Sequence, residues 1–242
     1  MKIYLTEKNS EWKLYEGNLT KELAERNIII GRGADIRAGA FIGARAGIGA
    51  RAGIGARAVI GEGAVIGSRA VIGEGAVIGE GAVIGEGAGI GARAFIGEGA
   101  GIRERAVIRE GAVIREGAGI GERADIREGA DIGARAFIGE GAGIGARAVI
   151  GEGAVIGEGA VIGEGAVIGK TYDCIVLGPL GSRSAMMTAY RHEGTIWIGT
   201  GCFCDLIEKF EQQVKKVHRD NQHAREYAAA LDYVRAKFAI KL

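Results

Sequence analysis

The chain has 242 residues, 31 Lys and Arg against 30 Asp and Glu, a net charge of +1, 45 glycines and one proline. That balance gives no general attraction to nucleic acid, and neither a membrane-length apolar run nor a signal-peptide pattern occurs, so a cytoplasmic protein is expected. Cys174, Cys202 and Cys204 are an odd number gathered in the tail, which suits free thiols better than a disulfide framework.

Residues 1–27 read as an N-terminal cap. Two strand-like stretches lie around Ile3–Leu5 and Trp12–Tyr15, followed by a helix from about Leu19 to Arg26. Residues 28–170 are different in kind. From Ile30 to Ile168 an isoleucine falls at every sixth position, 24 in all, and an alanine precedes each of the last 23 by two residues. A period of six fits neither the α-helix nor a long strand, but it fits short strands and turns wound into a solenoid. Ala and Ile, two apart, share the inner face of each strand, and the residue between them, such as Val65, Phe95 or Asp125, faces outward. Glycine at the corners supplies positive φ and close backbone approach.

In an aliphatic residue followed by Gly, two variable residues and a small one, these units resemble the hexapeptide signature of left-handed parallel β-helix proteins, over about 139 residues. The resemblance implies a mainly β fold of about eight triangular coils, three hexapeptides to a coil, between a small N-terminal cap and an α+β C-terminal cap. At a strand spacing of about 4.8 Å the prism would be roughly 38 Å long. It also implies trimers. Many relatives are acyltransferases with a histidine base on a coil or loop and acyl-coenzyme A between subunits, and some are carbonic anhydrases with three coil histidines on zinc. This chain has no histidine before His192 and no insertion in its repeat, so no coil can supply a base or a zinc site. Ice binding through threonine ranks is disfavoured likewise, since no threonine occurs in the repeat before Thr171.

Taken at steps of eighteen, one outward face carries Phe41, Val59, Val77, Phe95, Val113, Asp131, Val149 and Val167. Seven of these eight are apolar, and such a rank reads either as good strand formers or as a self-association face. The corners carry glutamate ladders, Glu86, Glu104, Glu122, Glu140 and Glu158 on one edge and Glu62, Glu80, Glu98 and Glu116 on another. They read as solvated charge with Arg105 and Arg123 beside the first, in preference to a cation site. In the middle, Arg103, Arg109, Arg115 and Arg127 replace the corner glycine near Asp125 and Asp131.

Residues 171–242 lose the period. A hairpin is expected from Met186–Arg191 and Thr195–Ile198, then helices over about Asp205–His218 and His223–Phe238. Their apolar stripes, Ile207, Phe210, Val214 and Val217, then Tyr227, Leu231, Val234 and Phe238, would cover the open end of the solenoid. "GPLGSR" (178–183) reads as the turn that leaves the solenoid rather than an anion cradle. Cys202, Cys204, His218 and His223 lack a standard zinc spacing. Through "LGPLGSR", "TAYR" and "GCF" followed by an amphipathic helix, the tail resembles the end domain of uncharacterised, often phage-associated repeat proteins, which implies only its placement after a repeat.

The expectation is thus a non-enzymatic structural or interaction protein, a rigid rod forming dimers or trimers through Phe41, Val59, Val77, Phe95, Val113, Val149 and Val167. No catalytic, cofactor or metal residues are assigned, and no nucleic acid, membrane or small-molecule substrate is expected. The alternatives are a transferase using tail residues such as His192 or His218 at a subunit interface, and a flat face that binds glycans, ice or cations.

Overall fold

The computed structural model describes residues 2–6, 11–201 and 203–239. Each hexapeptide contributes a two-residue strand made of the outward residue and the isoleucine, for example Val77–Ile78 and Phe95–Ile96, except Ala40–Ile42, which has three. Each strand pairs in parallel with the one 18 residues on, so that Val77 meets Phe95 and Ile78 meets Ile96. The 24 strands form eight coils with three flat sheets. Ala76, Ile78, Ala94 and Ile96 are fully buried, and each stacked isoleucine contributes about 2 kcal/mol before ordering entropy is subtracted.

The corners are tight. Gly79 follows Ile78, and a Cβ placed on it would lie 2.6 Å from the backbone of the next coil. Where arginine takes this corner, at Arg37, Arg103, Arg109, Arg115 and Arg127, the N–H bond to the next coil runs 2.8 to 3.0 Å, against 2.6 to 2.8 Å for glycine. The coils open slightly to admit the side chain. Two residues further on, the chain turns through positive φ, and only Gly or Arg occupies that position in the coils from Gly33 to Gly165.

Strand β1 (Lys2–Thr6) joins the first complete coil at Ala40–Ile42 in parallel, and β2 (Trp12–Glu16) pairs with it antiparallel. Together they extend one sheet to ten strands. Helix α1 (Thr20–Glu25) follows, and Arg26 ties these parts together through bonds from its guanidinium to Thr6 O, Glu22 O and Tyr15 Oη.

At the other end the chain leaves the last coil through a 3-10 turn at Thr171–Asp173. It then forms a four-stranded antiparallel sheet, β3 (Cys174–Leu180), β4 (Ala185–His192), β5 (Thr195–Thr200) and β6 (Phe203–Leu206), followed by α2 (Ile207–His218) and α3 (Gln222–Ala239). This corrects the sequence reading in three ways. The expected hairpin is β4–β5, but it is flanked by two further strands. Residues 181–184 turn between β3 and β4, so "GPLGSR" does not mark the exit from the solenoid. Finally, the sheet covers the open coil, while the helices pack on the sheet's far side against Met187, Ala189 and Ile198.

The reason lies in the hydrogen bonds that the open coil demands. Its strands present backbone N–H groups with no further coil to receive them. Val155 N–H donates to Thr171 Oγ1 (3.0 Å), Val161 N–H to Thr188 Oγ1 (2.9 Å) and Gly163 N–H to Tyr190 Oη (2.9 Å). An apolar helix stripe has no such acceptors. Gly199 lets β5 approach, because a Cβ there would lie 2.3 Å from Val161 O. Of the expected helix stripes only Val217 stays out, at 58% exposure. Among the described residues no helix is long and apolar enough to cross a membrane.

Candidate functional site

Charge on the solenoid follows two registers. Arginines in the positive-φ position reach the carboxylate 17 residues on, one coil up and one position back. Arg45–Glu62, Arg57–Glu74, Arg69–Glu86, Arg93–Glu110, Arg123–Glu140, Arg135–Glu152 and Arg147–Glu164 all pair this way. Of the nine ladder glutamates, Glu62, Glu86 and Glu140 are met from the coil before, while Arg105, expected to act on the first ladder, makes no ion pair among the described residues. Arg123 does act on the first ladder as expected, touching Glu122 at 2.7 Å and Glu140 at 3.5 Å. These side chains are well exposed, so each pair contributes at most about 1 kcal/mol.

Corner arginines follow a second register, 16 residues on. Arg109 grips Asp125 with two bonds of 2.9 Å, and Arg115 grips Asp131 with bonds of 2.8 and 2.5 Å. The hydrogen bonds, then the charges, of these aspartates raise both arginine pKa values. Arg37 has glycine at that register, Gly53, and so do Arg103 and Arg127, at Gly119 and Gly143. There the acid is missing and space opens in its place.

Beside Arg127 this space becomes a cleft of about 500 Å³ between the last coils and the C-terminal sheet, lined by Gly143, Gly145, Gly163, Glu164, Trp197 and Cys204 among others. Trp197 comes from β5 and Cys204 from β6. The Cys204 thiol sits 3.2 Å from Tyr190 Oη. Burial first, then the bond to Cys204, pushes the Tyr190 hydroxyl's pKa upward, so it acts here as a neutral hydrogen-bonding group. Burial also pushes the nearby Cys174 thiol up to about 12, which makes it inert. The His192 ring meets Trp197 edge-on with centroids 5.7 Å apart. Its Nδ1 is buried without a hydrogen-bond partner, unusual for an interior polar atom.

The other tail candidates lie elsewhere. His218 and His223 face each other with ring centroids 5.7 Å apart at the α2–α3 turn, and His223 Nδ1 lies 3.4 Å from Glu226 Oε2. That contact first, then the Gly181 N–H and Gln222, holds the Glu226 carboxyl below its ordinary range. Cys202 lies outside the described residues. On the apolar face, Phe41 is not free as expected: Tyr4 stacks on it with centroids 4.3 Å apart and Trp12 meets it edge-on at 5.3 Å. Sequence reasoning singled out Arg127 as one of four corner arginines but assigned it no site, although the glycine at Gly143, 16 residues on, was a readable signal, and it missed Trp197.

Residues 57–92 and 135–170 match the family described as bacterial transferase hexapeptide (six repeats). No curated protein matches the chain. Among solved structures it is similar to a hexapeptide transferase family protein from Anaplasma phagocytophilum, with 21% identity over 56% of this chain and 78% of that one and a TM-score of 0.41. It is also similar to UDP-N-acetylglucosamine acyltransferases from Campylobacter jejuni (18% identity, 86% of this chain and 87% of that one, TM-score 0.35) and Francisella novicida (20%, 59% and 56%, TM-score 0.36). At these values the likeness is one of fold. The expectation of a non-enzymatic chain is corrected by the repeat match, which falls in a family described as bacterial transferase. Absence of histidine from the coils excludes a coil-borne histidine, not a site built where the tail meets them.

Proposed function

From a chain of the hexapeptide-repeat, left-handed β-helix superfamily, we propose an acyltransferase that holds an acyl-coenzyme A donor in the cleft between its last coils and its C-terminal sheet. The observation that carries this is Arg127: its acid register is vacated by Gly143, so a guanidinium with no ion pair among the described residues lines a cleft together with Trp197. A guanidinium suits the phosphates of the donor and an indole suits its flat base. His192 stands beside the cleft, edge-on to Trp197; through its other ring nitrogen, Nε2, it takes the proton from the acceptor hydroxyl or amine as that group attacks the thioester carbonyl, the C–S bond breaks, and the proton passes to the leaving coenzyme A thiolate. The same reading divides the chain into residues 1–27, 28–170 and 171–242, with chemistry at the second boundary.

Release of coenzyme A from acetyl-coenzyme A, followed by chromatography with amino-sugar acceptors, tests the proposal. His192→Ala should lower turnover by about 10²- to 10⁴-fold, the usual worth of a general base, while His218→Ala at the α2–α3 turn should leave it intact. A wild-type chain with no turnover above the uncatalysed rate, or equal rates for His192→Ala and wild type, contradicts it.

Self-association is the second part of the proposal. Phe95, Val149 and Val167 are 44%, 40% and 55% exposed on one flat face, and Arg115 already neutralises Asp131, the one acid in that rank. A second copy seated there, in a dimer or trimer, removes this surface from water without stranding a charge. Val77→Lys with Val113→Lys should give folded monomers in sedimentation at micromolar concentration. A wild-type chain that is already monomeric, or a double variant that keeps the wild-type mass, would show the valines to be strand formers only.

A further inference from the structure

The 17-residue register also has a gap. Arg51 occupies the positive-φ position, but the residue 17 on is Ser68, the single serine or threonine between residues 28 and 170. Ser68 stands in the column that holds Glu86, Glu104 and Glu122 further along, and two coils earlier the same column holds Arg32. The carboxylate that would neutralise Arg51 is replaced by a hydroxyl, and another cation stands below. Among the described residues neither Arg32 nor Arg51 has an acidic partner. Arg69, the next arginine in the Arg51 column, is held by Glu86 at 2.9 Å and closes the far side. Arg32, Arg51, Ser68 and Arg69 line one surface cavity of about 680 Å³, with Glu86, already paired to Arg69, at its far side.

We propose that this cavity binds a phosphate or diphosphate group of a small ligand, which takes the position of the missing carboxylate. Coils are about 4.8 Å apart, so the Arg32 and Arg51 side chains can close on one group from successive coils while the Ser68 hydroxyl donates a third bond. A carboxylate satisfies one arginine, as the seven paired sites show. A phosphate has enough oxygens for two arginines and a hydroxyl, and guanidinium forks match it in pairs. The site shares no residue with the junction cleft, so it stands or falls independently of the transferase reading.

Calorimetric titration of the full chain with inorganic pyrophosphate, at fixed ionic strength near 0.1 M, tests this. The wild type should bind one equivalent saturably. Arg51→Ala should weaken binding at least tenfold, and Ser68→Glu should do the same by supplying the absent carboxylate, in a variant whose geometry copies the Arg69–Glu86 pair. Arg57→Ala removes the same charge from an arginine already paired with Glu74 and should bind as wild type does, with circular dichroism confirming the fold of each variant. Absence of saturable binding by the wild type overturns the proposal. So does an Arg57→Ala loss equal to that of Arg51→Ala, which would mean diffuse attraction, or full affinity in Ser68→Glu.

Discussion

Ile96→Asp is expected to prevent folding or to destabilise the chain by about 4 kcal/mol or more, as burial of an unpaired carboxyl does. Ile96 is fully buried and stacks between Ile78 and Ile114 of the adjoining coils. Isoleucine and alanine from all three sheets fill this core and are buried from Ala40 to Ile168, so a carboxylate placed there meets no water. Val107→Thr, at a residue 41% exposed on the outer face, should shift stability by no more than about 0.5 kcal/mol. Thermal denaturation of the two variants checks the inside–outside assignment, and the reverse ranking would contradict it.

Tyr190→Ala should cost about 4 kcal/mol, the scale of removing a large buried ring. The ring is fully buried where the C-terminal sheet meets the last coil, and its hydroxyl receives the Gly163 N–H. Tyr190→Phe keeps the ring but strands that donor, so it should cost about 1 to 3 kcal/mol. Because Gly163 belongs to the open edge, loosening should begin there. Hydrogen exchange should quicken first in residues 155–169 for both variants, with the middle coils unchanged. Uniform acceleration along the solenoid would mean that the sheet is not the cap.

How much of this was legible in the sequence depended on the kind of interaction. Ile and Ala placed themselves, because a strict period of six allows one inward set, and the apolar stripe from Tyr227 to Phe238 was equally readable. The Arg–Glu register was present too, as Arg45 and Glu62 or Arg147 and Glu164, but it shows only when positions are compared across a coil of eighteen and one step back. That the tail caps the open coil was legible, but which of its residues do so was not. Thr171, Thr188 and Tyr190 look like ordinary strand residues until the donors of Val155, Val161 and Gly163 lie opposite them. The cleft was harder still, since it comes from a side chain that Gly143 lacks and from Trp197, some fifty residues away in the chain.

Binding of the acyl donor at that cleft is the most direct test of the account. The chain has two tryptophans, Trp12 at the N-terminal cap and Trp197 in the cleft, so Trp12→Phe leaves Trp197 as the sole indole reporter. Titration of this variant with acetyl-coenzyme A should give a saturable change in Trp197 fluorescence, weakened at least tenfold when Arg127→Ala removes the guanidinium that lines the cleft. Fluorescence that does not respond to acetyl-coenzyme A, or responds identically without Arg127, would contradict it.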